Sequence, residues 1–387
     1  MTRIAPFRLL RLTLARPCLA FLLLAAGSLN PASAIDTPAR EAILVDFDTG
    51  AILMEKNADE SMPPASMSKI MTAYMVFEQL KEGQLSLDTK LPVSEAAWRM
   101  GGSKMFVEVG SDIRVEDLLR GVIVQSGNDA CIVLAEGLAG SETAFALAMT
   151  ERAAEIGLTN STFANSTGWP NPQQRMTARD LATLAGIIIG EYSDYYRYFS
   201  ETEFTWSDIR QGNRNPLLYK SLGADGLKTG HTEEAGYGLT ASAVQNGRRL
   251  TLVINGMESV KARAEEGARL LTWGFRQFDN YQLAKAGETI EQAEVWLGEE
   301  KTVPLVADAD VLVTMQRADR KEMVVKVIYD GPLKAPIAAG TEVARMTISA
   351  PSMETVVIPL QAGTDVPRLG AFGRIFANLK HLVFGSL

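Results

Sequence analysis

Ser66 and Lys69 stand three residues apart in Pro64-Ala65-Ser66-Met67-Ser68-Lys69-Ile70-Met71-Thr72, and side chains at that spacing share a helix face within reach of one another. Serine is a poor nucleophile until a base takes its proton. The chain has two histidines, His231 and His381, too few for a histidine metal cluster or a spare imidazole beside the serine, so an amine is the natural base. A lysine serves only when neutral, well below its unperturbed pKa of about 10.4. Burial and a neighbouring cation both push it that way. Lys228, in Lys228-Thr229-Gly230, offers the second cation. Ser126-Gly127-Asn128 lies between the two lysines in sequence, with a hydroxyl for proton relay and an amide to hold a substrate.

The apolar spacing of Ile70, Met71, Tyr74, Met75, Phe77 and Leu80 predicts a buried helix that carries the serine. Upstream, two β-rich runs, 42–47 and 51–55, flank Asp48-Thr49-Gly50 and predict a hairpin. From Val93 to Leu158 the pattern is helical, clearest over 112–124 and 130–136, and Thr177 stands where it would cap another helix. Residues 201–257 turn β-rich with short turns, Gln245-Asn246-Gly247 among them, and a helix over about 261–278 closes the region. These elements predict a mixed α/β domain over 35–287, a central antiparallel sheet flanked by helices, with the serine on a helix, Ser126 and Asn128 on a loop and Lys228 at the end of a strand. Residues 288–366 are short, β-branched and turn-separated, and predict a small all-β domain with nothing catalytic in it.

The two ends differ from the body. Residues 1–34 carry four arginines and no acid, then an apolar stretch, then Ala32-Ser33-Ala34, the pattern of a secretory signal peptide. Its removal would take the formal charge from −8 to −12, and an exported acidic protein has no general attraction for nucleic acid. Cys18 would leave with it, so that Cys131 is expected as a lone buried thiol. In the tail, Leu369, Phe372, Ile375, Phe376, Leu379, Leu382 and Val383 fall on one helical face, and Arg374, Asn378, Lys380 and His381 on the other. Such an amphipathic basic helix over 367–387 is expected to lie flat on a membrane surface, anchored through 368–387.

Ser-x-x-Lys, Ser-x-Asn and Lys-Thr-Gly, in that order, resemble the signature of penicillin-binding proteins and β-lactamases. With Gly102-Ser103-Lys104-Met105-Phe106, Asn213-Arg214-Asn215, Asp225-Gly226-Leu227-Lys228-Thr229-Gly230-His231-Thr232 and Leu271-Thr272-Trp273-Gly274-Phe275-Arg276, the chain is similar to the low-molecular-mass penicillin-binding proteins that are serine D-alanyl-D-alanine carboxypeptidases. Ser68 stands where that family commonly has threonine. The resemblance implies the family's transpeptidase-like fold. It also implies removal of the terminal D-alanine from peptidoglycan stem pentapeptides, covalent inhibition by β-lactams, no cofactor, and a periplasmic site at the inner membrane. Ser66 would be the nucleophile, Lys69 its base and Ser126 the proton relay. Asn128, Lys228 and Thr229 would line the substrate, and the backbone N–H groups of Ser66 and His231 would hold the oxyanion. A free terminal carboxylate calls for a guanidinium fork, and Arg214 and Arg263 match arginines of the family.

Three alternatives stay open on the motifs: a D,D-endopeptidase, a β-lactamase, or a slow-turnover penicillin-binding sensor or scaffold. The β-lactamase is disfavoured by the absence of a Glu-x-x-Leu-Asn segment that would supply a deacylating glutamate.

Overall fold

The computed structural model describes residues 3–5 and 35–384, and the chain separates into two compact units: Ala34–Arg276, and Gln277–Leu387 with 1–33. Within the first, β1 (Glu41–Asp46) and β2 (Ile52–Lys56) form the expected hairpin. Asp46 closes it, its Oδ1 accepting from Asp48 N, Thr49 N and Thr49 Oγ1 at 3.1 Å each, so one short carboxylate satisfies the turn.

The serine precedes α1 (Lys69–Lys81), a helix buried at every position from Lys69 to Phe77. It packs with α2 (Val115–Ile123), α3 (Asn128–Ala139), α4 (Glu142–Glu155) and α5 (Ala178–Glu191) in one apolar core, which includes Ile43, Leu227 and Val253 of the sheet. Thr177 caps α5 as expected, its Oγ1 accepting from Asp180 N at 3.0 Å. The sheet is completed by β3 (Ala224–Thr232), β4 (Gly236–Gln245) and β5 (Arg248–Met257), antiparallel in the order β2-β1-β5-β4-β3. Asn246 and Gly247 both take positive φ between β4 and β5, as a two-residue hairpin turn requires.

The other face of the sheet is covered by α6 (Val260–Gln277), where Leu44, Leu239, Leu250, Leu252 and Ile254 share a core with Leu270 and Leu271. Gly274 permits this close packing, since a Cβ there would lie 2.8 Å from both Leu44 and Leu250. Four local expectations are corrected: Asn128, expected on a loop, is the first residue of α3, and Lys228, expected at the end of a strand, is at the middle of β3. Residues Asp112–Arg114 pair as a strand with Lys90–Pro92, so α2 begins only at Val115. Ser66 lies on a 3-10 turn, Ala65–Ser68, that leads into α1.

The second unit is all β until its last helix. Its strands are β6 (Phe278–Ala284), β7 (Thr289–Trp296), β8 (Thr302–Val306), β9 (Val311–Gln316), β10 (Val324–Tyr329), β11 (Leu333–Lys334), β12 (Glu342–Ala350) and β13 (Met353–Ala362). The larger sheet runs β10-β12-β13-β8-β7-β11, with Arg3–Ala5 paired outside β10, and β6 pairs with β9. Val303, Leu305, Val313, Ile348 and Leu360 are among the residues filling its core. The tail forms α7 (Ala371–Phe384), on which Phe372 is 91% exposed, Phe376 74% and Leu382 86%. Apart from residues 3–5, the stretch expected to be a signal peptide lies outside the described residues, as do 385–387 of the tail. No single helix among the described residues is long and apolar enough to cross a membrane.

Candidate active site

Lys69 is 1% exposed, and its Nζ has three neighbours: Ser66 Oγ at 3.1 Å, Asn128 Oδ1 at 2.8 Å and the carbonyl oxygen of Thr167 at 2.5 Å. The orientation of the Asn128 amide is fixed, because its Nδ2 donates to Gly101 O at 2.9 Å. Two of the three neighbours can only accept, and the third is a hydroxyl that can donate. Ser66 Oγ can accept an N–H from the protonated amine and can donate to the lone pair of the deprotonated one, so the same three contacts hold Lys69 before and after it loses its proton. Burial is the main cause that pushes Lys69 down to about 8, and the charge of Arg214 adds to it.

Lys228, on β3, is buried too, and its Nζ donates to Thr229 O at 3.2 Å. Its pKa is held well below the usual lysine range by burial, then by the charges of Lys69 and Arg214. The expectation that Lys228 keeps Lys69 neutral therefore needs correction. Burial does most of that work, and Lys69 acts on Lys228. Cys131 is buried as expected, and desolvation pushes its thiol up to about 12, which keeps it uncharged.

A 3-10 turn eclipses residues i and i+3, which sets Ser66 over Lys69 more directly than an α-turn would. The backbone is tight here. Ala65 takes φ +48°, a conformation L-residues rarely adopt and one that recurs at functional sites. Two glycines make room for it: a Cβ on Gly168 would lie 1.9 Å from Ala65 O, and one on Gly230, the glycine of Lys-Thr-Gly, 2.8 Å from Pro64 O. Gly230 thus serves by having no side chain, which lets β3 run against the serine turn.

The loop 161–175, which the sequence reading passed over, forms another wall. It is sewn onto the serine turn and α1 by Lys69 to Thr167 O, by Thr72 Oγ1 donating to Ser166 O at 2.6 Å, and by Gln174 Nε2 donating to Ser68 Oγ at 2.9 Å. Inside the loop, Asn165 Oδ1 accepts from the backbone N–H of Thr167, Gly168 and Trp169 and from Thr167 Oγ1. Glu142, at the start of α4, holds Ser166 through both its N–H and its hydroxyl. A polar cluster such as Asn165-Ser166-Thr167-Gly168 signals a turn. It gives no sign that a carbonyl in it meets the lysine.

Ser126 takes φ +59°, and its buried Oγ has no hydrogen-bond partner among the described residues. An unsatisfied buried hydroxyl costs about 1–3 kcal/mol, which singles it out as a group kept for a ligand or a proton. Asp129, also missed, anchors the opposite rim: its carboxylate accepts from Met105 N and Phe106 N at 2.8 Å and Val107 N at 3.2 Å. Arg214 is exposed, and its Nη1 donates to Ser103 Oγ at 2.5 Å on that rim. Arg263 is buried on α6, Thr229 is buried on β3, and His231 is exposed with its ring stacked on Tyr237. The structure thus brings Ser66, Lys69 and Asn128 into direct hydrogen-bonded contact, and leaves Ser126 unbonded.

A serine beside a desolvated lysine, on a 3-10 turn that leads into a buried helix at the edge of an antiparallel sheet, defines an active-serine hydrolase with an amine base. A family model described as D-alanyl-D-alanine carboxypeptidase matches residues 28–259, and one described as penicillin-binding protein 5, C-terminal domain, matches 278–368. The chain is 40% identical to the D-alanyl-D-alanine carboxypeptidase DacC of Escherichia coli strain K12, over 359 residues covering 90% of each. Penicillin-binding protein 5 from Haemophilus influenzae superposes with a TM-score of 0.78 at 35% identity, covering 87% of this chain and all of that one. Penicillin-binding protein D2 from Listeria monocytogenes in its ampicillin-bound form is similar at 29% identity, with a TM-score of 0.56, over 61% of this chain and 97% of that one. The chain belongs to the D-alanyl-D-alanine carboxypeptidase family, whose members are serine-type enzymes.

Proposed function

We propose that this enzyme removes the terminal D-alanine from peptidoglycan stem pentapeptides through an acyl-enzyme on Ser66, and that β-lactams acylate the same serine. The observation that carries the reading is the burial of Lys69 against Ser66, with Asn128 and Thr167 as its other hydrogen-bond partners and no carboxylate among them. Ser66 Oγ attacks the carbonyl carbon between the two D-alanines as its proton passes to Lys69 Nζ. The oxyanion is held by the N–H groups of Ser66 and His231; losing one such donor typically costs on the order of 100-fold or more in rate. Lys69 gives that proton to Ser126 as Ser126 passes its own to the departing amine, the C–N bond breaks, D-alanine leaves and Lys69 is again a free base. Water, deprotonated by Lys69, then attacks the Ser66 ester and releases the shortened peptide. Asn128 orients Lys69 and contacts substrate backbone, Lys228 and Thr229 line the strand beside it, and Arg263 with Arg214 receives the terminal carboxylate.

The proposal extends to the whole chain. Residues 1–34 are an export signal and 367–387 an anchor that holds the enzyme to the periplasmic face of the inner membrane; between them the boundary expected at 287/288 moves to 276/277, because Phe278–Ala284 pairs with Val311–Gln316, leaving 35–276 as the peptidase domain and 277–366 as the β domain. Five large apolar side chains of α7, Phe372, Ile375, Phe376, Leu379 and Leu382, are 58–91% exposed. Each gains about 1.5–3 kcal/mol on leaving water, which favours a helix lying in the lipid interface. The assay is release of D-alanine from diacetyl-L-lysyl-D-alanyl-D-alanine, together with covalent labelling by a fluorescent penicillin. The wild type does both and Ser66→Ala does neither while keeping its melting temperature; labelling that persists in Ser66→Ala would remove the assignment.

A further inference from the structure

Arg263 is an uncommon kind of buried cation. It is 5% exposed and has no carboxylate partner among the described residues. Its Nη1 makes one long contact, to Gly238 O at 3.4 Å, and its Nε is buried without a hydrogen-bond partner. Burial, reinforced by the charge of Arg214, pushes it down to about 10. What the guanidinium does have is an aromatic ring: it lies over Tyr237, 5.7 Å from the centroid. His231 stacks on the same tyrosine at 3.9 Å between centroids and 27° between planes.

Tyr237 is held in place by its neighbours. It pairs across β3–β4 with His231 and across β4–β5 with Met257, at a register shift in β5. The residues on either side are glycines without room for a side chain: a Cβ on Gly236 would lie 3.0 Å from Gly256 Cα, and one on Gly238 2.5 Å from Met67 Cε. Gly238 therefore seats β4 on the serine turn, and the alternation of a strand sends Tyr237 to the opposite face, beside α6.

An aromatic face attracts a guanidinium without occupying its in-plane N–H groups. A carboxylate in the same place would have used the fork. From this arrangement we infer that Tyr237 is a positioning residue for substrate recognition, its ring holding Arg263 with its N–H fork free for the terminal carboxylate of the substrate. The inference rests on the reading of Arg263 as the carboxylate clamp, and deepens it by naming what supports the clamp.

The test compares full-length enzyme acting on diacetyl-L-lysyl-D-alanyl-D-alanine and on its C-terminal amide, with active sites counted by penicillin titration. The wild type prefers the free acid. Tyr237→Leu is expected to raise KM for the acid about tenfold, with kcat per titrated site within about twofold and KM for the amide unchanged. Tyr237→Phe, which keeps the ring, restores the wild-type preference. A full acid preference in Tyr237→Leu, beside its loss in Arg263→Ala, would overturn the role of Tyr237 alone. Tyr237→Phe behaving like Tyr237→Leu would also overturn it, since the hydroxyl and not the ring would then matter. An acid preference retained by Arg263→Ala would bring down the clamp reading itself, and this inference with it.

Discussion

Around Lys69 the protein buries what water would welcome, and along α7 it exposes what water rejects. A lysine 1% exposed and a phenylalanine 91% exposed invert the usual partition of side chains, and such inversions are the informative ones. They are resolved differently. The three partners of the Lys69 amine come from separate parts of the fold, the serine turn, α3 and the loop 161–175, and burial among them draws its pKa down to about 8. The apolar side chains of α7 stay open to solvent among the described residues, and the proposed anchor would cover them with lipid.

That contrast can be broken at either end, and the larger effect is expected at the lysine. Asn128→Ala deletes one of the two acceptors that leave the Lys69 lone pair for Ser66. It should lower kcat/KM for the tripeptide by about 100-fold, measured as D-alanine release per penicillin-titrated site. A loss below about threefold would mean that Thr167 O and Ser66 suffice to orient the amine. Removal of 368–387 should do the reverse, abolishing sedimentation with anionic vesicles while changing kcat/KM on the soluble tripeptide by less than about twofold. Retained sedimentation would place the membrane contact elsewhere.

The candidate site was largely legible in the sequence because its side chains stand at fixed spacing: Ser66, Lys69, Ser126, Asn128 and Lys228 are named by their motifs, and Ser66, Lys69 and Asn128 meet in the fold. The hairpin at Asp48-Thr49-Gly50, the cap at Thr177 and the helix after residue 260 were legible for a similar reason, since turn and cap chemistry is local. What stayed hidden works through the backbone or through shape. Thr167 contributes a carbonyl, which any residue has. Gly168 and Gly230 contribute the lack of a Cβ against Ala65 and Pro64, and Tyr237 a ring face. Asp112–Arg114 read as helix because its apolar spacing runs on into α2, yet pairing with Lys90–Pro92 decided its form. The 3-10 turn at Ser66 lies against tertiary neighbours no local pattern shows, the loop 161–175 at Ala65 and β3 at Pro64.

Catalysis by this route depends most on Lys69 giving up its proton near pH 8 and not above 10. A group depressed to about 8 by burial is protonated and idle below that value and becomes free to accept the Ser66 proton as pH rises through it. The direct measurement is the second-order rate of acylation by a β-lactam as a function of pH, which reports the free enzyme. A rate that climbs about tenfold per pH unit on the acid side and levels off with an apparent pKa near 8 is the predicted result. A rate still climbing at the same slope beyond pH 10, as an unperturbed lysine would give, would contradict it.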